Sequence, residues 1–212
     1  MRIAVIGATG MAGSRIAAEA AGRGHSVSGF SRSDSTVTAS LPGLTLFTAD
    51  AADPESMGRL AAGHDVIVLA TRPVPGTEDN IITPLTTVLD AARHAGRRVI
   101  VIGGAGPLLS PDHSDRLVID DERFVPRQWR TIAQASVDQF NACTTNQADW
   151  TYLSPPALFE SGTRTGTYRR GENRLLIDVE GVSRISAEDF AIATVDEIEN
   201  ADSDRRHFTV AY

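Results

Sequence analysis

Gly7-Ala8-Thr9-Gly10-Met11-Ala12-Gly13 follows the apolar run Ile3-Ala4-Val5-Ile6 directly, and few folds are open to a chain with that junction. The apolar run reads as a buried strand, and the residues after Gly10 open a helix, so the glycines occupy a strand-to-helix turn. In such a turn Gly7 permits the tight reversal and Gly10 lets the backbone approach a pyrophosphate. Gly13 allows close helix-to-strand packing, and the amides at the helix N-terminus face phosphate charge. Gly7, Thr9, Gly10, Met11 and Gly13 are therefore predicted to cradle a dinucleotide.

The rest of the chain alternates in the same way. Strands are predicted near 2–7, 26–30, 44–48, 65–70, 98–103 and 150–154, with helices near 11–23, 54–62, 78–95 and 127–147. That alternation predicts an α/β fold, a doubly wound parallel sheet of the Rossmann type covered on both faces. Beyond residue 155 it fades into Pro155-Pro156 and a Gly/Thr/Arg-rich stretch at 161–171. Ser186-Ala187-Glu188-Asp189 then opens a helix to about 199, and a strand follows near 207–210. The 212 residues suit one NAD(P)-binding domain with a small C-terminal elaboration, in which 155–185 forms a substrate-side region.

Composition removes several function classes. A net charge of −7 argues against a nucleic-acid surface, which needs clustered cations. Arg97-Arg98, Arg169-Arg170 and Arg205-Arg206 read as solvated faces. No apolar run approaches the roughly 20 residues of a membrane span, and Met1 leads straight into a strand, so a cytoplasmic protein is expected. The only cysteine, Cys143, excludes an internal disulfide, and no metal site is expected. All twenty basic residues counted with lysine are arginine. Without lysine the chain has no Walker lysine, no Schiff-base amine and no Tyr-x-x-x-Lys pair.

The Gly-x-x-Gly-x-x-Gly spacing, Leu153-Ser154-Pro155-Pro156-Ala157-Leu158-Phe159-Glu160 and Arg184-Ile185-Ser186-Ala187-Glu188-Asp189-Phe190-Ala191 carry a family likeness over nearly the whole chain. The sequence resembles the atypical branch of the short-chain dehydrogenase/reductase superfamily, and within it bacterial NAD(P)H-flavin reductases, relatives of NmrA-like and biliverdin-reductase-B-like proteins. The resemblance implies that Asp50 meets the adenine edge. It places Ala70, Thr71, Gly103 and Gly104 beside the cofactor, and Pro155, Pro156 and Ala157 along the nicotinamide.

The second strand ends Gly29-Phe30-Ser31-Arg32-Ser33, where NAD-specific sites place a carboxylate. Ser31 and Arg32 are placed to bind a 2′-phosphate and Arg15 to assist, so NADP(H) is expected over NAD(H). Arg32 as a solvated loop residue is the alternative, and Asp34 puts an acid close by.

Members of the superfamily with a full triad carry a serine after the fifth strand and Tyr-x-x-x-Lys on the next helix. Here the strand ends Gly103-Gly104-Ala105-Gly106, the helix has no tyrosine between Arg127 and Trp150, and lysine is absent. Hydride transfer to a flavin substrate, or to another planar small-molecule acceptor, needs alignment of two rings rather than that triad. His113 is the one catalytic candidate, weighed against an ordinary surface histidine. Asp120-Asp121-Glu122 reads as a solvated loop. Arg164 and Tyr168 are candidates for a substrate mouth, and Phe124, Trp129 and Phe159 for stacking or packing. The loops 104–125 and 157–171 are expected to select the substrate. A non-catalytic NADP(H)-binding regulator and a specialised biosynthetic reductase or isomerase are the competing readings; oligomeric state is left open.

Overall fold

The computed structural model describes residues 1–32, 41–72, 76, 78–200 and 206–212. Strand side chains divide by the two-residue period of extended backbone. In β1 (Arg2–Ile6), Ile3 and Val5 join one core cluster while Ala4 and Ile6 join another. In β4 (Val66–Leu69), Val66 and Val68 oppose Ile67 and Leu69; in β5 (Arg98–Ile102), Ile100 and Ile102 oppose Val99 and Val101. Both faces of the strands are apolar, so both require cover.

Ile16, Ala17 and Ala20 of α1 (Met11–Gly22) and Phe190, Ala193 and Val195 of α5 (Ala187–Glu199) cover the first face. The second face meets Met57 and Leu60 of α2 (Pro54–Gly63), Leu85 and Leu89 of α3 (Ile82–Ala95) and Cys143 of α4 (Arg130–Thr145). Each fully buried Leu or Ile on these faces contributes roughly 1.5–3 kcal/mol. The predicted helices at 78–95 and 127–147 begin with tighter 3₁₀ turns, Glu78–Ile81 and Arg127–Trp129. No side chain caps α3 or α4, and a tighter first turn is one way to satisfy amides that a cap would otherwise take.

With β2 (Ser26–Ser31), β3 (Leu44–Thr48), β6 (Trp150–Ser154), β8 (Arg169–Gly171) and β10 (His207–Ala211), the main sheet runs β3-β2-β1-β4-β5-β6-β10-β8. Every pair is parallel except β8 with β10. This is the doubly wound parallel sheet that the alternation predicts. Its order reverses between β1 and β4, where the following connections diverge to opposite faces and leave a crevice.

The elaboration has its own architecture. β7 (Leu158–Glu160) and β9 (Arg184–Ser186) pair in a separate two-stranded sheet. Leu108, Val118, Val125 and Leu175 form a third apolar cluster, with Ala105, Phe124, Ala133 and Ala157 against it. The loop 104–125 is therefore folded around a small core, bridged from Leu109 to both Leu117 and Arg174.

Candidate functional site

The turn after β1 shows why its glycines differ. Gly7 has φ +87°, its amide donates to the Phe30 carbonyl at 2.8 Å, and a β-carbon there would lie 2.5 Å from the Ala70 oxygen. A β-carbon on Gly13 would lie 2.2 Å from the Gly7 oxygen, so α1 can approach β1 only with glycine at that position. At Gly10 the protein asks for less: a β-carbon would meet only the Gly7 oxygen, at 3.3 Å. Space above Gly10 is what backbone approach to a ligand requires.

The start of α1 carries no side-chain cap and no acid in its first turn. By contrast, Asp53 caps α2 by accepting from the Glu55 and Ser56 amides, and Ser186 caps α5 by accepting from the Asp189 amide. The amides and positive dipole end of α1 thus remain for a group from outside, and a pyrophosphate suits that donor set.

Other predicted residues fall at the C-terminal ends of neighbouring strands. Ser31 ends β2 and Arg32 follows it, and the exposed Arg32 has no hydrogen-bond or ion-pair partner among the described residues. Ser33 and Asp34 lie outside the described residues. After β3, Asp50 accepts from the Ala52 amide at 3.0 Å, which holds its carboxylate in the turn before α2. Ala70 and Thr71, both half-buried, leave β4 beside Gly7. After β6, Pro155 and Pro156 are buried, while the half-buried Ala157 donates its amide to Ser183 Oγ at 3.3 Å. One groove lies between α2 and α3, and another, lined by Arg15 and Glu188 among others, lies between α1 and α5. Amide geometry and the strand exits mark the candidate site.

The exit of β5 is governed by a residue that the sequence reading missed. A β-carbon on Gly103 would lie 2.0–2.2 Å from atoms of the Tyr152 ring end, and one on Gly104 would lie 2.8 Å from Ser136 Cβ. Packing against β6 and α4 therefore accounts for both glycines. Tyr152 is fully buried and its hydroxyl donates toward the Ser136 carbonyl at 2.9 Å, with Gln139 Oε1 at 3.1 Å. Burial raises its pKa well above the usual phenol range. The other tyrosines are also engaged: Tyr168 donates to Asp196, and Tyr212 to Asp189 at 2.7 Å. Gly29 was likewise missed; a β-carbon there would lie 2.8 Å from Ala8 Cβ and 2.6 Å from Leu46 Cδ2. An isolated glycine inside a strand is the available sequence signal for such close approach.

Several expectations need correction. Arg15 does not stand free for a 2′-phosphate: it donates to Glu188 at 2.6 Å, Ser161 at 2.9 Å and the Met11 carbonyl at 3.0 Å. Arg164 and Tyr168 tie their loop to Glu19 of α1 and Asp196 of α5, and Arg164 lines the groove between those helices. The ring of His113 has no hydrogen-bond partner among the described residues, and its carbonyl accepts from Arg174 at 2.6 Å. Among the described residues no side chain orients its imidazole as a catalytic base would need. Asp121 is buried rather than solvated, and the Arg123 guanidinium, aided by the Ser110 hydroxyl, holds its carboxyl far below the usual range. Arg98 and Arg170 are not solvated faces either, since both pair with the fully buried Glu197. Phe159 packs on Phe190, with ring centroids 4.6 Å apart, Phe124 packs against the third cluster, and Trp129 is exposed.

A family model described as NAD(P)H-binding matches residues 7–199. The Bacillus subtilis protein YwnB is 32% identical over 217 residues, covering 99% of this chain and 98% of that protein. Among solved structures, a Burkholderia pseudomallei protein described as exported is 41% identical, with a TM-score of 0.87 and full coverage of both chains. A Streptococcus pneumoniae protein assigned as an NADH-flavin reductase is 28% identical, with a TM-score of 0.85, covering 100% of this chain and 99% of that one.

Proposed function

The chain belongs to the NAD(P)H-binding family, and from that premise we propose an NADPH-dependent reductase that passes hydride to a flavin or another planar conjugated acceptor without a Ser-Tyr-Lys triad. One pairing carries this reading: the uncapped start of α1 lies open, whereas the Tyr152 ring fills the space that any side chain on Gly103, at the end of β5, would take. All three tyrosine hydroxyls are engaged, and the chain has no lysine. Catalysis of this kind asks the protein for alignment and leaves the hard chemistry to the cofactor. The name of the Streptococcus pneumoniae relative supports the acceptor class.

In this reading the amides of α1 receive the pyrophosphate, Ser31 and Arg32 the 2′-phosphate, and Asp50 the adenine edge. Ala70, Thr71, Gly103 and Gly104 supply backbone at the strand exits, and Pro155, Pro156 and Ala157 wall the nicotinamide side. When bound, the nicotinamide supplies the hydride.

Absorbance at 340 nm tests the proposal. NADPH oxidation by the purified protein should accelerate on addition of FMN, FAD, riboflavin or a quinone. If NADPH binds and no acceptor stimulates its oxidation, the reductase reading fails. Engaged tyrosines and absent lysine would then fit a non-catalytic NADP(H)-binding regulator.

A further inference from the structure

One turn into α1 stands a long cationic side chain, Arg15, that joins three segments. Arg15 donates from Nη1 to the Met11 carbonyl of its own turn, from Nε to Glu188 Oε1 in the first turn of α5, and from Nη2 to Ser161 Oγ. The second oxygen of Glu188 accepts from the Gly162 amide at 2.7 Å. Ala157, expected beside the nicotinamide, lies just upstream of Ser161, with β7 between them. The Arg15 and Glu188 side chains are 30% and 23% exposed, so the pair is only partly screened by solvent. A separate latch holds the chain downstream, where Asp189 accepts the Thr165 and Gly166 amides at 2.9 Å.

We propose that Arg15 and Glu188 are positioning residues that set the post-proline segment 157–162 against the phosphate-binding turn, and so set the span between the pyrophosphate and nicotinamide ends of the site. The inference rests on the crevice being a dinucleotide site. Both ends of a dinucleotide belong to one covalent molecule. A segment displaced by about an ångström therefore misplaces the nicotinamide while leaving the adenosine half in contact with β1 and β2.

The test uses Arg15→Ala, Arg15→Lys and Glu188→Gln in the full chain, with two readouts. Hydrogen exchange at the Gly162 amide should accelerate at least tenfold in Arg15→Ala, while Thr165 and Gly166 change less than twofold. In the same variant the Kd for NADPH should rise at least fivefold and the Kd for adenosine 2′,5′-bisphosphate should stay within twofold. Arg15→Lys should recover most of the NADPH affinity, and Glu188→Gln should fall between the two. Equal weakening of NADPH and the bisphosphate would make Arg15 a direct phosphate ligand and overturn the proposal. Joint acceleration of all three amides, or no change at Gly162, would overturn it too. Wild-type protein that binds no NADPH overturns the dinucleotide reading itself, and the exchange data then still report whether the clamp exists.

Discussion

Arginine in this chain is mostly a structural residue, and this gives weight to the exceptions. Arg98 and Arg170 meet buried Glu197, Arg123 meets Asp121, and Arg174 donates to the carbonyls of Ser110, Pro111 and His113. Arg32 has no such partner among the described residues and stands at the end of β2, where the adenosine ribose of a dinucleotide lies. Arg32→Ala should weaken NADPH binding by roughly 1.5–3 kcal/mol, about 10- to 150-fold, and NADH binding much less. Side-by-side titration checks this, and equal losses for both would remove Arg32 from the 2′-phosphate site. The place of Arg32 just after a strand was readable in the sequence. The partner of Arg15 was not, because Glu188 is 173 residues away and only the packing of α1 on α5 joins them.

The junction of β1 and α1 makes a sharper test than either element alone. Gly13→Ala would place a β-carbon 2.2 Å from the Gly7 oxygen and force α1 away from the turn. Such overpacking should cost about 1–3 kcal/mol and weaken NADPH binding with it. Gly58→Ala in α2 is the control, because nothing lies within 4 Å of a β-carbon there. It should stabilise the protein by about 0.5–1 kcal/mol, as alanine does for glycine in a helix interior. Urea melts of the two variants should therefore move in opposite directions. The loop 104–125 resisted prediction for a related reason: it looks irregular in sequence, yet its Leu108, Val118 and Val125 form a core with Leu175 from a distant segment.

Stability of the molecule as a whole should carry the signature of His207. Its ring packs 4.4 Å from that of Phe140, its Nε2 lies 2.9 Å from Ser154 Oγ, and burial pulls its pKa down from 6.5 to about 4. Between those values the unfolded chain binds a proton that the fold refuses. Stability is therefore complete above about pH 6.5 and falls by about 3 kcal/mol as the pH drops to about 4. Asp65, held at about 2 by Arg2, belongs to a lower window: its contribution is present above the usual carboxylate range and lost as pH falls below it. His207→Phe should flatten the pH 4–6.5 slope and leave the lower one, as read from denaturant midpoints across that range. A slope unchanged by the substitution would assign the effect to other groups.

The strand-and-helix alternation and the glycine turn are local patterns, imposed by backbone periodicity and by the space that glycine leaves. They were sufficient to reach the parallel sheet and an NAD(P)H-binding fold, whereas the strand order that puts the crevice between β1 and β4 came from the structure. Partnership between distant side chains is not local. Tyr152 beneath Gly103, Arg15 on Glu188, Asp121 on Ser110 and Glu197 between two arginines arise only when the layers close, because burial then obliges each polar group to find a partner in space rather than in sequence. The turn after β1 thus announced an NAD(P)H-binding fold, while folding decided which nearby charges are engaged within the protein.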